Sequence, residues 1–161
     1  MSKNCVKKII AFFLAIMLFL MACGCTSKNN YSASQLSEEI LKLTSFSEMK
    51  TLSGTSLPSY FVFGDGDVKR FNAMVSANAE SADTLACFEI INKKQRSVAI
   101  SGISQYLSNQ SNSFKSTIEK EYNKVQTRLL MELENIIILV VANNTAAVWD
   151  YLTEMGAKEV V

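Results

Sequence analysis

"IIILVVA" (residues 136–142) is an unbroken run of seven apolar residues, most of them β-branched. Its length and composition favour a strand over a helix. Because successive side chains of a strand point to opposite faces, this strand is apolar on both faces. We therefore predict that it lies in the centre of a sheet that is covered on both sides, or nearly so.

Two further segments are candidates for its neighbours. "TLACFEII" (residues 84–91) has the length and composition of a strand. Residues 127–133 can form another, joined to the last strand by a hairpin at Glu134-Asn135, since Asn tolerates the left-handed conformation. Residues 118–133 also fit a helical stripe, so both interpretations stay open. If the hairpin forms, residues 136–142 lie between the two neighbours and antiparallel to both.

Helical spacing of apolar residues predicts the remaining elements. One helix begins near Ser32 or Ser34, and a long helix follows Asn92 and ends near Phe114. A final helix follows Asn143 or Asn144 and ends at Gly156. Together the elements predict an α+β fold of two layers, with a small, mainly antiparallel sheet of about three strands packed against helices.

The segment between the first helix and the strand at 84–91 is rich in Ser and Gly and contains the only Pro. We predict a loop whose apolar side chains close over the core, and then a short helix. Asp65 or Asp67 would cap this helix. Its buried stripe would be Val68, Phe71 and Val75. The apolar residues of the loop are Leu57, Tyr60, Phe61 and Phe63.

Composition excludes several classes of function. The chain has 161 residues, a formal net charge of +1 and no histidine. Bulk charge therefore gives no reason to expect nucleic acid as a partner. The usual general base and the commonest metal ligand are missing. Phosphate-binding and nucleophile motifs are missing too, so we predict no cofactor, no metal and no enzymatic activity.

The N-terminal residues have the three parts of a secretory signal. A basic start is followed by an apolar run of 13 residues (9–21) and then by small residues. Leu20-Met21-Ala22-Cys23 resembles a bacterial lipobox, in which the cysteine is lipidated and becomes the first mature residue. Cys25 is the alternative acylation site. An uncleaved helix or ordinary secretion remain alternatives, and export of the body follows in each case.

This N-terminus predicts the organisation of the chain. Residues 1–22 would be the signal peptide, 23–34 a lipidated polar tether and 35–161 a single domain. The protein would then be held on the outer face of the cytoplasmic membrane through lipid on Cys23.

Few residues of the body suggest chemistry. "GDGD" (64–67) resembles the start of a calcium loop, but Arg70 and Ser76 occupy the positions that need Gly and Glu, so a capping turn is favoured. Cys87 is expected to be a buried small hydrophobe. "KKQR" (93–96) is expected to be a solvated face, with contact to anionic lipid or wall polymer as the alternative. Carboxylates are present without the spacing of an acid–base pair, at Glu119, Glu121, Glu132 and Glu134.

The body also carries a resemblance to a known family. "SADTLACFEI" followed by "NKKQ", a long helix and "ENIIILVVANN" is similar to an uncharacterised family of small lipoproteins of Gram-positive bacteria, domain of unknown function four-three-five-eight. The resemblance covers roughly residues 33–156 and implies the hairpin before the last strand. That family usually has Gly in this turn, where this chain has Glu134-Asn135. The resemblance implies no activity and no catalytic residues.

These observations favour a non-catalytic, membrane-anchored binding or interaction module of the cell envelope. A small carboxylate-dependent hydrolase is one alternative. An accessory ligand-binding subunit of an envelope transporter is another.

Overall fold

The structure is a computed structural model that describes residues 31–64 and 68–160. The described residues form four helices and six strands, together with a 3₁₀ turn at Leu57–Ser59. In chain order the elements are α1 (Ala33–Leu43), β1 (Met49–Thr51), β2 (Arg70–Ser76), β3 (Thr84–Glu89), α2 (Lys93–Phe114), α3 (Glu119–Gln126), β4 (Leu129–Leu133), β5 (Ile136–Val141), α4 (Ala146–Glu154) and β6 (Lys158–Glu159). No helix among them is long and apolar enough to cross a membrane.

The strands form one sheet in the order β1-β2-β3-β5-β4-β6, and every neighbouring pair is antiparallel. β5 pairs with β3 on one side, with Ala86 opposite Leu139, and with β4 on the other, with Met131 opposite Ile138. Every residue of β3 and of β5 is buried. The predicted central strand is therefore confirmed.

Helices cover both faces of this sheet. Ile137 and Leu139 of β5 pack into one core together with residues of α2 and α3. Ile136 and Ile138 pack into a second core together with residues of α1 and α4. The alternation of a strand thus supplies both cores from one apolar segment.

The predicted sheet of about three strands in two layers is wrong in size. The sheet has six strands, with helices on both faces. Two of the strands that sequence patterns missed lie at the edges and are only three and two residues long, β1 and β6. Strands this short give no periodic signal, because alternation needs about four residues to be read.

The predicted short helix with its stripe at Val68, Phe71 and Val75 is also wrong. Residues Arg70–Ser76 form strand β2, which pairs with β3 over six residues. Phe71 and Val75 are four residues apart, a spacing that suits one face of a helix and one face of a strand alike. Pairing with β3 decides between them. The predicted caps Asp65 and Asp67 lie outside the described residues.

The segment that had two interpretations contains both a helix and a strand. Glu119–Gln126 is helical, and Leu129–Leu133 is a strand joined to β5 by the turn at Glu134-Asn135. This confirms the hairpin that the family resemblance implies. Glu134 has φ +54°, so it occupies the left-handed region.

The loop after β1 closes over the first core as predicted. Leu57 and Phe61 are buried, and Phe63 packs against the same cluster. The Phe61 ring centroid lies 4.5 Å from that of Tyr106 and 5.1 Å from that of Phe88. These contacts fix the loop on α2 and β3.

Helix ends follow the sequence signals closely. Ser32 caps α1 in a reciprocal capping box with Gln35, and the Asn92 side chain accepts a hydrogen bond from the first turn of α2. Gly156 follows α4 with φ +87°, the conformation that glycine adopts most easily. At the start of α4, the Asn144 side chain accepts from Ala146 N, although the residue at the cap position itself is Thr145.

Candidate functional site

The structure describes some of the residues that the sequence singles out, and others lie outside the described part. Cys23, Cys25 and the segment 65–67 lie outside the described residues. Cys87 is fully buried in β3, as predicted, and burial raises the pKa of its thiol to about 12. A thiol with so high a pKa carries almost no thiolate near neutral pH, so Cys87 acts as a packing residue.

The basic segment 93–96 divides into two parts. Arg96 forms a bidentate ion pair with Glu132 of β4, with Nε 2.8 and 2.9 Å from the two carboxylate oxygens. Hydrogen bonding to Glu132 raises the pKa of Arg96 further. Lys93 and Lys94 are exposed. The pair therefore ties α2 to the sheet, and only the two lysines form the solvated face that the sequence predicts.

A buried ionic cluster lies at the end of the sheet where β3 begins. Lys124 Nζ of α3 is 2.7 Å from Asp83 Oδ1 and 2.7 Å from Glu121 Oε2. All three residues are buried. Two carboxylates surround one ammonium group, so the cluster has a formal charge of −1.

Backbone amides complete this cluster. Ser47 N donates to Asp83 Oδ2 at 2.6 Å, and Ala82 N donates to Glu121 Oε2 at 2.8 Å. Burial acts to raise the pKa of Asp83, but the hydrogen bonds from Lys124 and Ser47 outweigh it and lower that pKa. Burial acts to lower the pKa of Lys124, and its two carboxylate partners outweigh it and raise that pKa. Asp83 and Lys124 are thus held ionised by their charged partners and, for Asp83, by a backbone donor.

Next to the ionic cluster is a chain of neutral hydrogen bonds. The Thr84 hydroxyl lies 2.7 Å from the Tyr106 hydroxyl, and Gln110 Nε2 donates to the same Tyr106 oxygen at 3.2 Å. Burial raises the pKa of Tyr106 to about 12. Tyr106 therefore stays protonated and links β3 to α2 through its hydroxyl group.

These groups lie beside a cleft of about 290 Å³. It lies between the turn that joins β2 to β3, the C-terminal half of α2, and β1 with the loop that follows it. Its lining residues are Lys50, Tyr60, Val75, Ser76, Ala77, Asn78, Ala79, Ser81, Asp83, Tyr106, Gln110, Ser113 and Phe114. We call this the β-turn cleft.

The β-turn cleft combines three kinds of binding group. Lys50 is exposed, and its Nζ lies 5.4 Å from the centroid of the Tyr60 ring. Asn78 and Gln110 supply amides, and serines supply hydroxyls. Such a site can hold a polar molecule or a peptide segment through hydrogen bonds, a cation and an aromatic surface. Among residues 31–64 and 68–160, no three His, Cys, Asp or Glu side chains are grouped so that they could hold a metal ion.

Sequence reasoning missed this cleft almost entirely. Of the ionic cluster, the sequence analysis names only Glu121. Glu121 and Lys124 are three residues apart, an ordinary spacing for neighbours on a helix surface, so their pairing does not mark a site. Asp83 and Lys124 are 41 residues apart, so no local pattern connects them. Of the four candidate carboxylates, Glu119 and Glu134 are exposed and lie apart from the cleft lining.

Comparison with known families identifies the class of the chain. The sequence profile of a domain of unknown function (DUF4358) matches residues 42–142. This match covers more than half of the 161 residues, and the chain belongs to that family. No curated protein and no solved structure matches the chain.

Proposed function

We propose that this protein is a lipid-anchored, extracytoplasmic binding domain of the cell envelope, and that the β-turn cleft is its binding site. The anchor is supported by the lipobox-like residues Leu20-Met21-Ala22-Cys23 directly after the apolar run. Binding is supported by one observation above all. The β-turn cleft brings Lys50, Tyr60 and Gln110 from three separate elements to one opening.

The same geometry argues for binding over hydrolysis. A carboxylate-dependent hydrolase needs one carboxyl group that is protonated near neutral pH. Asp83 is the carboxylate that lines the cleft, and its pKa is lowered. Its neighbour Glu121 is held by Lys124 and by Ala82 N. A ligand-binding subunit of a transporter is the alternative within the binding class. The cleft, at about 290 Å³, lies just below the range of about 300–1,000 Å³ for small-molecule sites.

The anchor is tested by labelling cells with radioactive palmitate. We expect the full-length chain to take up label, and Cys23→Ala to lose it while Cys25→Ala keeps it. Loss of label in Cys25→Ala alone would assign the lipid to Cys25. Absence of label in the parent chain would refute the anchor.

The cleft is tested by photo-crosslinking in native membranes. A photoreactive residue at Ser113 lies in the lining of the cleft, whereas one at Ser101 is exposed on the same helix outside it. We expect adducts with an envelope protein from position 113 and none from position 101. Equal adducts at both positions would contradict the site. No adducts at either position would favour a small ligand.

A further inference from the structure

The chain enters the described domain at one end of the sheet. Ala33 N, in the first turn of α1, donates to Glu89 Oε1 at 3.1 Å, and Glu89 is the last residue of β3. Lys69 N donates to Glu89 O, and Ile90 N donates to Asn135 O. The start of β2, the end of β3 and the β4–β5 turn therefore all lie beside the point where the chain enters.

This end of the sheet exposes cations and one large apolar side chain. Lys69, Arg70, Lys93 and Lys94 are exposed there. Ile91, between β3 and α2, is 60% exposed, more than any other large apolar residue of the described part. We call these five residues the entry-end surface. Two acids near this surface are already engaged, since Glu89 accepts from Ala33 N and Glu132 pairs with Arg96.

The β-turn cleft lies at the opposite end. Its residues Ser76 and Asp83 end β2 and precede β3, and Ser113 is near the C-terminus of α2. Because β3 runs from the cleft to Glu89, the length of that strand separates the two. Lys115 and Lys120 are exposed beyond the C-terminus of α2, also far from the chain entry.

We propose that the entry-end surface docks on the anionic headgroups of the bilayer, so that the β-turn cleft faces away from the membrane. This inference rests on the proposed lipid anchor. Eight peptide units separate Cys23 from Tyr31, and at about 3.3–3.6 Å per residue they reach less than about 30 Å in any conformation. Lipid on Cys23 would thus keep the entry end within that reach of the headgroups. Because β3 has six residues and spans only about 20 Å, the tether by itself permits either end to approach, and the charges of the entry-end surface set the orientation.

Charge and apolarity favour lipid as the occupant of this surface. Cations beside a lipid anchor are attracted to anionic headgroups, and an exposed apolar side chain between them can enter the interface. Glu134, also exposed near Lys93, acts in the opposite sense. Lys93 and Lys94 follow Ile91 by two and three residues, so the exposed apolar side chain and these two cations can reach the interface together. We assign the contact to Ile91 with Lys93 and Lys94.

Fluorescence quenching by brominated lipid tests the orientation. The lipidated full chain carries a single Trp, which Trp149→Phe removes. Ile91→Trp in this background reports on the entry end, and Ser116→Trp, at an exposed position near the far end, is the matched probe. Both are reconstituted in vesicles of brominated phosphatidylcholine, either alone or mixed in equal amounts with phosphatidylglycerol.

We expect strong quenching of the Trp at 91 in the vesicles with phosphatidylglycerol and little at 116. Lys93→Glu with Lys94→Glu should abolish the difference, as should 1 M salt, where charges are screened beyond about 3 Å. Lys115→Glu with Lys120→Glu makes the same charge change at the far end and should leave it unchanged.

Equal quenching at 91 and 116 in a chain that floats with the vesicles would overturn the orientation while leaving the anchor standing. Quenching at 91 that persists after reversal of Lys93 and Lys94 would overturn the assignment to these lysines. A chain that does not float with vesicles would refute the anchor itself, and the orientation with it. Circular dichroism of each variant checks that the fold is intact.

Discussion

Lys124 is the central residue of the buried ionic cluster beside the β-turn cleft. Its ammonium group is buried with two carboxylates at 2.7 Å, and these carboxylates also accept from backbone amides of two other segments. A buried ion pair adds little stability over an apolar replacement of the whole group, but removal of one partner leaves uncompensated charge. The cluster therefore tolerates the loss of no single member.

Lys124→Met should destabilise the fold by about 3–5 kcal/mol, because it leaves Asp83 and Glu121 buried without their cation. Urea unfolding measures this. Lys120→Met, an exposed change on the same helix, should stay within about 0.5 kcal/mol of the parent. Equal effects of the two changes would show that the cluster does not matter for stability.

The pH dependence separates loss of charge pairing from loss of packing. In the parent the pKa of Asp83 is lowered, so this group contributes stability above its unfolded pKa of about 3.9 that is lost as pH falls through the folded pKa. Without Lys124, burial, the largest single influence on that pKa, is opposed only by the hydrogen bonds from Ser47. We expect the pKa of Asp83 to rise, so that the native state binds more protons than the unfolded chain. We therefore expect Lys124→Met to gain stability from pH 7 to pH 5. If the variant gains no stability between pH 7 and pH 5, lost packing alone would explain its destabilisation.

At the scale of elements, the β4–β5 hairpin contains local strain. Glu134 is the one residue other than glycine with positive φ among those described. This conformation costs a side-chain-bearing residue about 1–2 kcal/mol. The turn holds because β4 and β5 pair over five residues, and this pairing joins Met131 and Leu133 of β4, both buried, to the fully buried β5. The family that the chain resembles usually has glycine in this turn. Glycine adopts positive φ without strain, so this preference agrees with the backbone observed at Glu134.

Glu134→Gly should stabilise the protein by up to about 1 kcal/mol, since the relief of strain exceeds the entropic cost of glycine, about 0.5–1 kcal/mol. A thermal melt should show a rise of a few degrees. Glu80→Gly is the matched control, an exposed turn glutamate without positive φ, and it should lower stability. A fall in the melting temperature of Glu134→Gly would contradict the strain.

The loop after β1 depends on a glycine in α2. A Cβ added at Gly102 would lie 2.7 Å from Val62 O and 2.9 Å from the Phe63 ring, too close for either. Gly102 therefore permits the backbone of the loop to lie directly on the helix. This contact in turn places Phe61 and Phe63 against the first core.

Gly102→Ala should destabilise the fold by about 1–2 kcal/mol, because the loop backbone must move, although alanine improves helix propensity by about 1 kcal/mol. Chemical denaturation measures the change. Ser101→Ala, at the adjacent exposed position, has the propensity gain without the clash and should be neutral or slightly stabilising. A stabilised Gly102→Ala would show that the loop moves away at no cost.

At the scale of the whole molecule, burial is concentrated in two strands. β3 and β5 have a strand on each side and a core on each face, and all their residues are buried. The edges are short, and Lys50 on β1 and Lys158 on β6 are exposed charged residues of the kind that discourage pairing with another chain. The sheet therefore decreases in stability from its centre outward.

Amide hydrogen exchange should follow this order. We expect the slowest exchange in β5 and β3, through global unfolding, intermediate rates in β2 and β4, and fast exchange by local opening in β1 and β6. Mass spectrometry of exchanged peptides resolves these segments. Protection of β1 equal to that of β5 would contradict this order.

Sequence patterns predicted the long elements far better than the short ones. The strands at 84–91 and 136–142 and the helix after Asn92 are confirmed, because each is long enough to show its own period and ends at a recognisable signal. The pattern of β2 predicts the wrong element because the spacing of Phe71 and Val75 fits both a helix and a strand. No local pattern predicts the cleft, because Asp83, Tyr106 and Lys50 come from separate parts of the chain.

Local sequence signals are sufficient to predict that residues 136–142 form a central strand, that the body is α+β, and which family the chain resembles. These predictions rest on apolar periodicity, on capping residues and on a linear pattern. The six strands between two helical layers, and the contact of Asp83 with Lys124 across 41 residues, follow only from the folded chain. Strand pairing and buried charge pairing join segments distant in sequence, and their energy depends on a partner that no local pattern names.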